Sequence, residues 1–214
     1  LALNNNVFFE FVPFDQKNFD TEGNMVDEPD AYMIHEIEEN KDYSILISTN
    51  AGAWRYAIGD TVRLVDRERS EIIITGRTKH FISAFGEHVI SEEVEAALLQ
   101  AAEEEHIPIT EFTVAPKIST DAGKSYHEWF IEFENTPADM NAFSKKVDDN
   151  LRKRNVYYDD LVGGKILQQL KISPVKKNGF IDYMKSIGKL GGQNKVPRLS
   201  NDRKIAEELE KFIN

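Results

Sequence analysis

Up to Thr75 the chain is written in short β-branched and aromatic runs separated by turn residues. From Gly76 onward such runs alternate with stretches of helical period. Side chains repeat every second residue along a strand and about every 3.6 residues along a helix, so this change of period dictates two differently built parts. Before it, Val7 to Pro13 (VFFEFVP), Met33 to Ile37, Ser44 to Thr49 (SILIST), Ala53 to Ile58, Thr61 to Val65 and Glu71 to Thr75 (EIIIT) read as strands, the last as a short buried one. Phe14 to Pro29 is polar and contains glycine, and reads as a loop. Asn50-Ala51-Gly52 and Gly59-Asp60 read as turns. Phe8, Phe9 and Phe11 read as core.

After the change, Phe81 to Ile90 reads as a hairpin turning at Gly86-Glu87. Ser91 is the expected N-cap of a helix reaching about Glu105, with Glu92 and Glu93 in the first turn, where negative charge is favoured. Strands are expected at Glu111 to Lys117, His127 to Glu134 and about Leu167 to Ser173. Helices are expected at Asp139 to Arg154, from Asn178, and at Asp202 to Phe212. The fold class is therefore α+β. A strand-rich part spans residues 1–76, a connection lies at 77–80, and residues 81–214 form a small α/β sandwich with helices mainly on one face of its sheet.

Several function classes are excluded by composition. The chain has 214 residues and no cysteine, so it holds no disulfide framework, thiol nucleophile or cysteine-ligated zinc. A cysteine-free chain fits a reducing cytoplasm. The formal net charge is -11, and the basic doublet Lys176-Lys177 and the run Arg152 to Arg154 form no extended stripe, so nucleic acid is not an expected partner. No apolar run approaches the roughly 18 residues of a membrane span. Leu1 to Asn6 lack the order of a signal peptide and an initiator Met, and the start reads as a cut. His35, His80, His88, His106 and His127 show no metal-ligand spacing, so no protein-held metal is expected, and His80 and His88 are expected to face solvent.

Three segments carry candidate chemistry. In WRYAIGD (Trp54 to Asp60), a Gly before an acid gives a tight turn with a surface carboxylate, which can accept two hydrogen bonds from a vicinal diol such as ribose. The same pair is also an ordinary turn. In Gly76-Arg77-Thr78-Lys79, Arg77 stands where it can reach phosphate or ribose oxygens, or serve as a surface ion-pair partner. Gly188 to Arg203 (GKLGGQNKVPRLSNDR) is a Gly-rich basic loop stiffened by Pro197, with Lys189 and Lys195 as its two lysine candidates.

The order of these segments resembles the adenylate-forming superfamily of acyl-CoA synthetases, luciferases and nonribosomal peptide adenylation domains. The wording of ISTNAGAWRYAIGD (Ile47 to Asp60), ITGRTKHFISAFGE (Ile74 to Glu87), FFEFVP, YHEWFIEF (Tyr126 to Phe133) and GGQNKVPR (Gly191 to Arg198) resembles the auxin-responsive Gretchen Hagen family of acyl acid-amido synthetases, its bacterial members especially. The resemblance covers essentially the whole chain, while a full member is more than twice as long. It implies that residues 1–76 are the strand-rich remnant of a large N-terminal domain and 81–214 the small C-terminal lobe. It implies that Asp60 and Arg77 hold the ATP ribose, that Lys79 is the hinge, and that Lys195 is the adenylating lysine, with Lys189 its rival.

The implied reaction is ATP-dependent activation of a carboxylic acid as an acyl-adenylate, followed by transfer to an amino acid amine. ATP would arrive with Mg2+, bound mostly by a part of the protein outside this chain, and the chain alone would be inactive. A close alternative is an acyl-CoA synthetase, in which a thiol replaces the amine. An alternative of another class is a non-catalytic nucleotide-binding or interaction module.

Overall fold

The computed structural model describes residues 6–20, 23–78, 81–121, 124–191 and 194–213. The chain divides into two compact units, Leu1–Phe81 and Ile82–Asn214.

In the first unit, β1 (Val7–Pro13), β2 (Asp42–Thr49), β3 (Tyr56–Asp66) and β4 (Glu71–Arg77) form an antiparallel sheet in that order. Phe11 pairs with Ile45 and Tyr43 with Val62. Together with Leu64 and Ile37 these side chains close one core. Each aliphatic or Phe side chain so buried contributes about 1.5–3 kcal/mol.

Four expectations change here. Met33 to Ile37 is a turn and not a strand: Glu36 N donates to Met33 O at 2.9 Å, and Met33 N donates to Glu36 Oε2 at 2.7 Å. Ile34 and Ile37 are three apart, a spacing that suits one turn, and both pack on the core. Gly59-Asp60 is no break, because β3 runs straight through it. β4 lies at the end of the sheet, and Ile74 on it is 71% exposed, so the apolar run is not a buried strand. Such a run does not itself reveal whether both of its faces are covered. Phe8 is likewise half-exposed, although Phe9 and Phe11 do join the core.

The second unit opens within β5 (Phe81–Ile82), which pairs with β6 (Val89–Ile90) across a loop whose Gly86 takes φ 89°. α1 (Ser91–Glu104) follows; Ile90 rather than Ser91 occupies its N-cap, and Glu93 Oε2 accepts the Ile90 N–H at 3.1 Å. Then come β7 (Ile109–Lys117), β8 (Tyr126–Phe133), α2 (Met140–Arg154), α3 (Val156–Gly163), β9 (Lys171–Val175), α4 (Gly179–Ser186), α5 (Lys204–Leu209) and a 3-10 turn at Glu210–Phe212. Asp139 caps α2 by accepting from Ala142 N at 2.9 Å.

α3 has no counterpart in the sequence reading. Asn155 both ends α2 and starts α3, its side chain accepting from Tyr158 N at 2.8 Å, so no Gly or Pro marks the joint. β9 starts later than expected: Leu167 makes only an isolated bridge to Ser125, and the strand proper begins at Lys171.

β8 is the central strand, antiparallel to β7 and parallel to β9. The parallel neighbour requires a crossover, supplied by α2 and α3. Alternation then separates two cores. Phe112, Val114, Trp129, Ile131 and Phe133 pack with Val94, Leu98, Phe143, Val147 and Leu151 of α1 and α2. Ala115, Phe130 and Val175 pack with Phe180, Tyr183, Met184, Ala206 and Leu209 of α4 and α5. The larger helical layer is thus on one face, as the sequence suggests, and a thinner layer covers the other. The two glutamates of β8 serve that second layer. Glu132 accepts from Asn178 N at 2.7 Å and Phe180 N at 3.3 Å, placing a carboxylate at the start of α4. Glu128 accepts from Ser173 Oγ at 2.8 Å and from Arg203 Nη2 at 2.7 Å.

Candidate functional site

Asp60 and Arg77 are direct cross-strand partners on β3 and β4, with Arg77 Nε 3.0 Å from Asp60 Oδ1. A register shift makes this place irregular. Thr61 faces Gly76 and Val62 faces Ile74, so Thr75 is the extra residue of a bulge. The Thr75 hydroxyl donates to Thr61 Oγ1 at 3.1 Å inside it. Gly59 takes φ +84°, a conformation that strains any residue with a Cβ, and its carbonyl accepts from Thr78 N at 2.9 Å. The glycine that reads as a turn is therefore the residue that bends a continuous strand beside the acid. Side-chain exposures are 58% for Arg77 and 25% for Asp60, so the ion pair itself adds little stability. What it provides is an acceptor and a fork of donors held side by side and open to solvent.

Lys195 lies in the second unit and is exposed. It stands at a junction. On one side are Gly188 and Gly191, both at positive φ (67° and 96°), and Lys189, whose N–H ends α4 by donating to Met184 O at 2.9 Å. On the other side the chain is sewn to the outer edge of β7. Thr113 Oγ1 donates to Pro197 O at 2.7 Å, Val114 N donates to Arg198 O at 2.9 Å, and Ser200 N donates to Val114 O at 3.0 Å. Val196 is buried in the second core and Leu199 in the first. The sequence places Pro197 as a stiffening residue of the loop; in the fold the restraint acts through burial of Val196 and the carbonyl of Pro197. Lys79 lies outside the described residues.

A fully buried polar pair escapes sequence reading. Glu87 and His127 are both fully buried, with Glu87 Oε1 2.8 Å from His127 Nε2. Glu87 Oε2 also accepts from Phe85 N at 2.8 Å. Burial opposes ionisation of Glu87, but the hydrogen bond and charge of His127, with the backbone donors, more than offset it and lower its pKa. The His127 ring lies 5.0 Å from the Tyr158 ring, and Tyr158 OH donates to Asp148 Oδ1 at 2.7 Å. Burial pushes the Asp148 carboxyl up, despite donors from Leu170 N and Tyr158, and holds Tyr158 well above its ordinary value. Forty residues and two strands separate Glu87 from His127, so no local spacing announces the pair. Its one sequence trace is a His within the otherwise apolar face of β8. Among the described residues, no cluster of three or more His, Asp or Glu forms a metal site, and no helix is long and apolar enough to cross a membrane.

Residues 1–73 match the GH3 family central domain and residues 92–204 the GH3 family C-terminal domain. The chain belongs to the GH3 (Gretchen Hagen) family, as the wording of its motifs suggests. It is similar to a jasmonoyl–L-amino acid synthetase of Oryza sativa subsp. japonica, at 23% identity over 220 residues covering 96% of this chain and 38% of that protein. An indole-3-acetic acid-amido synthetase of Arabidopsis thaliana is 25% identical over 222 residues, covering 98% of this chain and 36% of the relative. The fold matches a solved GH3.15 acyl acid amido synthetase with TM-score 0.71 at 19% identity, over 97% of this chain and 36% of that one. The chain thus spans a little over a third of the length of these relatives.

Proposed function

We propose that the protein carrying this chain is an ATP-dependent ligase that activates a carboxylic acid as an acyl-adenylate and transfers the acyl group to the amine of an amino acid. The observation that carries this reading is the side-by-side placement of Asp60 and Arg77 on a bulge, in a chain of the GH3 family. A carboxylate that accepts from a vicinal diol, next to a guanidinium that donates to oxygen, suits a nucleotide ribose. Lys195 supplies a mobile ammonium, ATP brings Mg2+, and the remaining contacts to both come from outside this chain. The partners are small molecules, and the compartment is the cytoplasm.

Under this reading residues 1–76 belong to the large adenylate-forming domain, 77–80 form the hinge, and 81–214 are the lobe that turns between steps. Lys79→Pro, which fixes φ near about −65°, is expected to stop one half-reaction and spare the other. Equal loss of both in a folded variant would remove the hinge. Asp60→Ala is expected to raise the KM for ATP, by an amount matching the roughly 1.5–3 kcal/mol of a charged hydrogen bond. Unchanged ATP kinetics would take Asp60 out of the site. The reaction class is tested by mass spectrometry of products formed from ATP and a panel of acids, with amino acids in one arm and coenzyme A in the other. Amides only in the first arm support the ligase; thioesters in the second place the protein with the acyl-CoA synthetases.

A further inference from the structure

Lys195 has a long flexible side chain, but its backbone origin is set by its neighbours. Val196 is anchored in the second core, and consecutive Cα atoms are only about 3.8 Å apart. Where the ammonium can reach therefore depends on how residues 196–200 are fastened to β7. That fastening has two side-chain rivets. Thr113 is 1% exposed, and its hydroxyl has Pro197 O as acceptor at 2.7 Å. The Arg198 guanidinium pairs with Glu111, reaches Phe112 O at 3.4 Å, and stacks 4.4 Å from the centre of the Phe112 ring. Both hold to three successive residues of β7, and the backbone bonds of Val114 complete the seam.

We propose that Thr113 and Arg198 are positioning residues for Lys195: they hold the strap at residues 196–200 on the edge of β7 and so fix the place from which the ammonium is delivered for adenylation. The inference rests on the reading of Lys195 given above. Thr113 is the sharper probe, because a buried hydroxyl touches no substrate and acts only through the strap. A displacement of the ammonium well under 1 Å predicts a loss of about tenfold, below the roughly 10²-fold that a full 1 Å misplacement can cost. The loss falls on kcat, since the ammonium matters more in the transition state than in the bound ground state.

The test uses the family-length enzyme and measures acid-dependent pyrophosphate exchange, amide formation from supplied acyl-adenylate, and the unfolding midpoint. Thr113→Val is expected to lower kcat for exchange about tenfold, with the KM for ATP and amide formation from the adenylate unchanged. Thr113→Ser, which restores the donor, is expected to recover the rate. Arg198→Met is expected to repeat the Thr113→Val pattern, and it decides the matter if Thr113→Val does not fold. Normal exchange in Thr113→Val beside a dead Lys195→Ala overturns the inference and leaves the role of Lys195 standing. So does a loss confined to Arg198→Met, which would make that arginine a substrate contact. Equal loss of both half-reactions with a lowered unfolding midpoint makes the seam merely structural and also overturns it. Normal exchange in Lys195→Ala removes the reading on which the inference stands, and the inference with it.

Discussion

Lys195→Ala in the family-length enzyme is expected to lower acid-dependent exchange of pyrophosphate into ATP by about 10²–10³-fold, the cost of removing one donor aimed at developing negative charge. When a carboxylate attacks the α-phosphorus, charge gathers on oxygens shared by both groups. An ammonium bridging them stabilises the transition state more than the separated reactants. Lysine suits the task because its stem is flexible and its three donors impose no fixed plane. The structure adds a contrast between the two lysines of the loop. Lys189 continues the end of α4, its N–H bonded to Met184 O, whereas Lys195 sits between a stretch with two positive-φ glycines and a strap fastened to β7. Amide formation from a supplied acyl-adenylate is expected to persist in Lys195→Ala. Survival of exchange in that variant, with loss in Lys189→Ala, would transfer the role to Lys189.

The second large effect concerns stability. Glu87→Ala leaves His127 buried without its partner, and His127→Ala leaves Glu87 so. Breaking a buried pair from one side costs about 3–5 kcal/mol. Urea unfolding of the chain is expected to show a loss of that size for either single variant. The double variant Glu87→Leu/His127→Leu should lose less than the sum, because neither member of the pair is left buried alone. The folded-state pKa of Glu87 lies below its ordinary value of about 4.3. Its contribution is therefore present above that pH and is lost as pH falls from there through the folded value. Glu87→Gln is expected to flatten this part of the acid limb. An unchanged acid limb in Glu87→Gln, or single variants as stable as the parent chain, would show that the pair does not hold the loop to the sheet.

How far the sequence was readable depends on whether a signal is local. β1, β2, α1 and α2 follow directly from alternation, helical period and caps, because each signal lies within its own segment. Gly59 was legible as a special backbone position but not as the centre of a continuous strand, since its bulge is defined by register against Thr75 and Gly76. The boundary between α2 and α3 was hidden because one residue, Asn155, serves as the cap of both. Asp60, Arg77 and Lys195 stand out through motif wording alone, and their surroundings required the fold. The contact of Arg77 with Asp60 depends on strand pairing, and the seam under Lys195 depends on Thr113, which lies 84 residues from Pro197. The Glu87–His127 pair is of the same non-local kind, joining a loop to a distant strand.

The most direct measurement is pyrophosphate exchange into ATP by the family-length protein, across a panel of carboxylic acids and without any amine or thiol. Label entering ATP only when a suitable acid is present is the expected result, since reversible acyl-adenylate formation needs only the acid and ATP. No exchange with any acid, from a folded protein that nevertheless joins an acid to an amino acid when ATP is added, would contradict an acyl-adenylate as the intermediate.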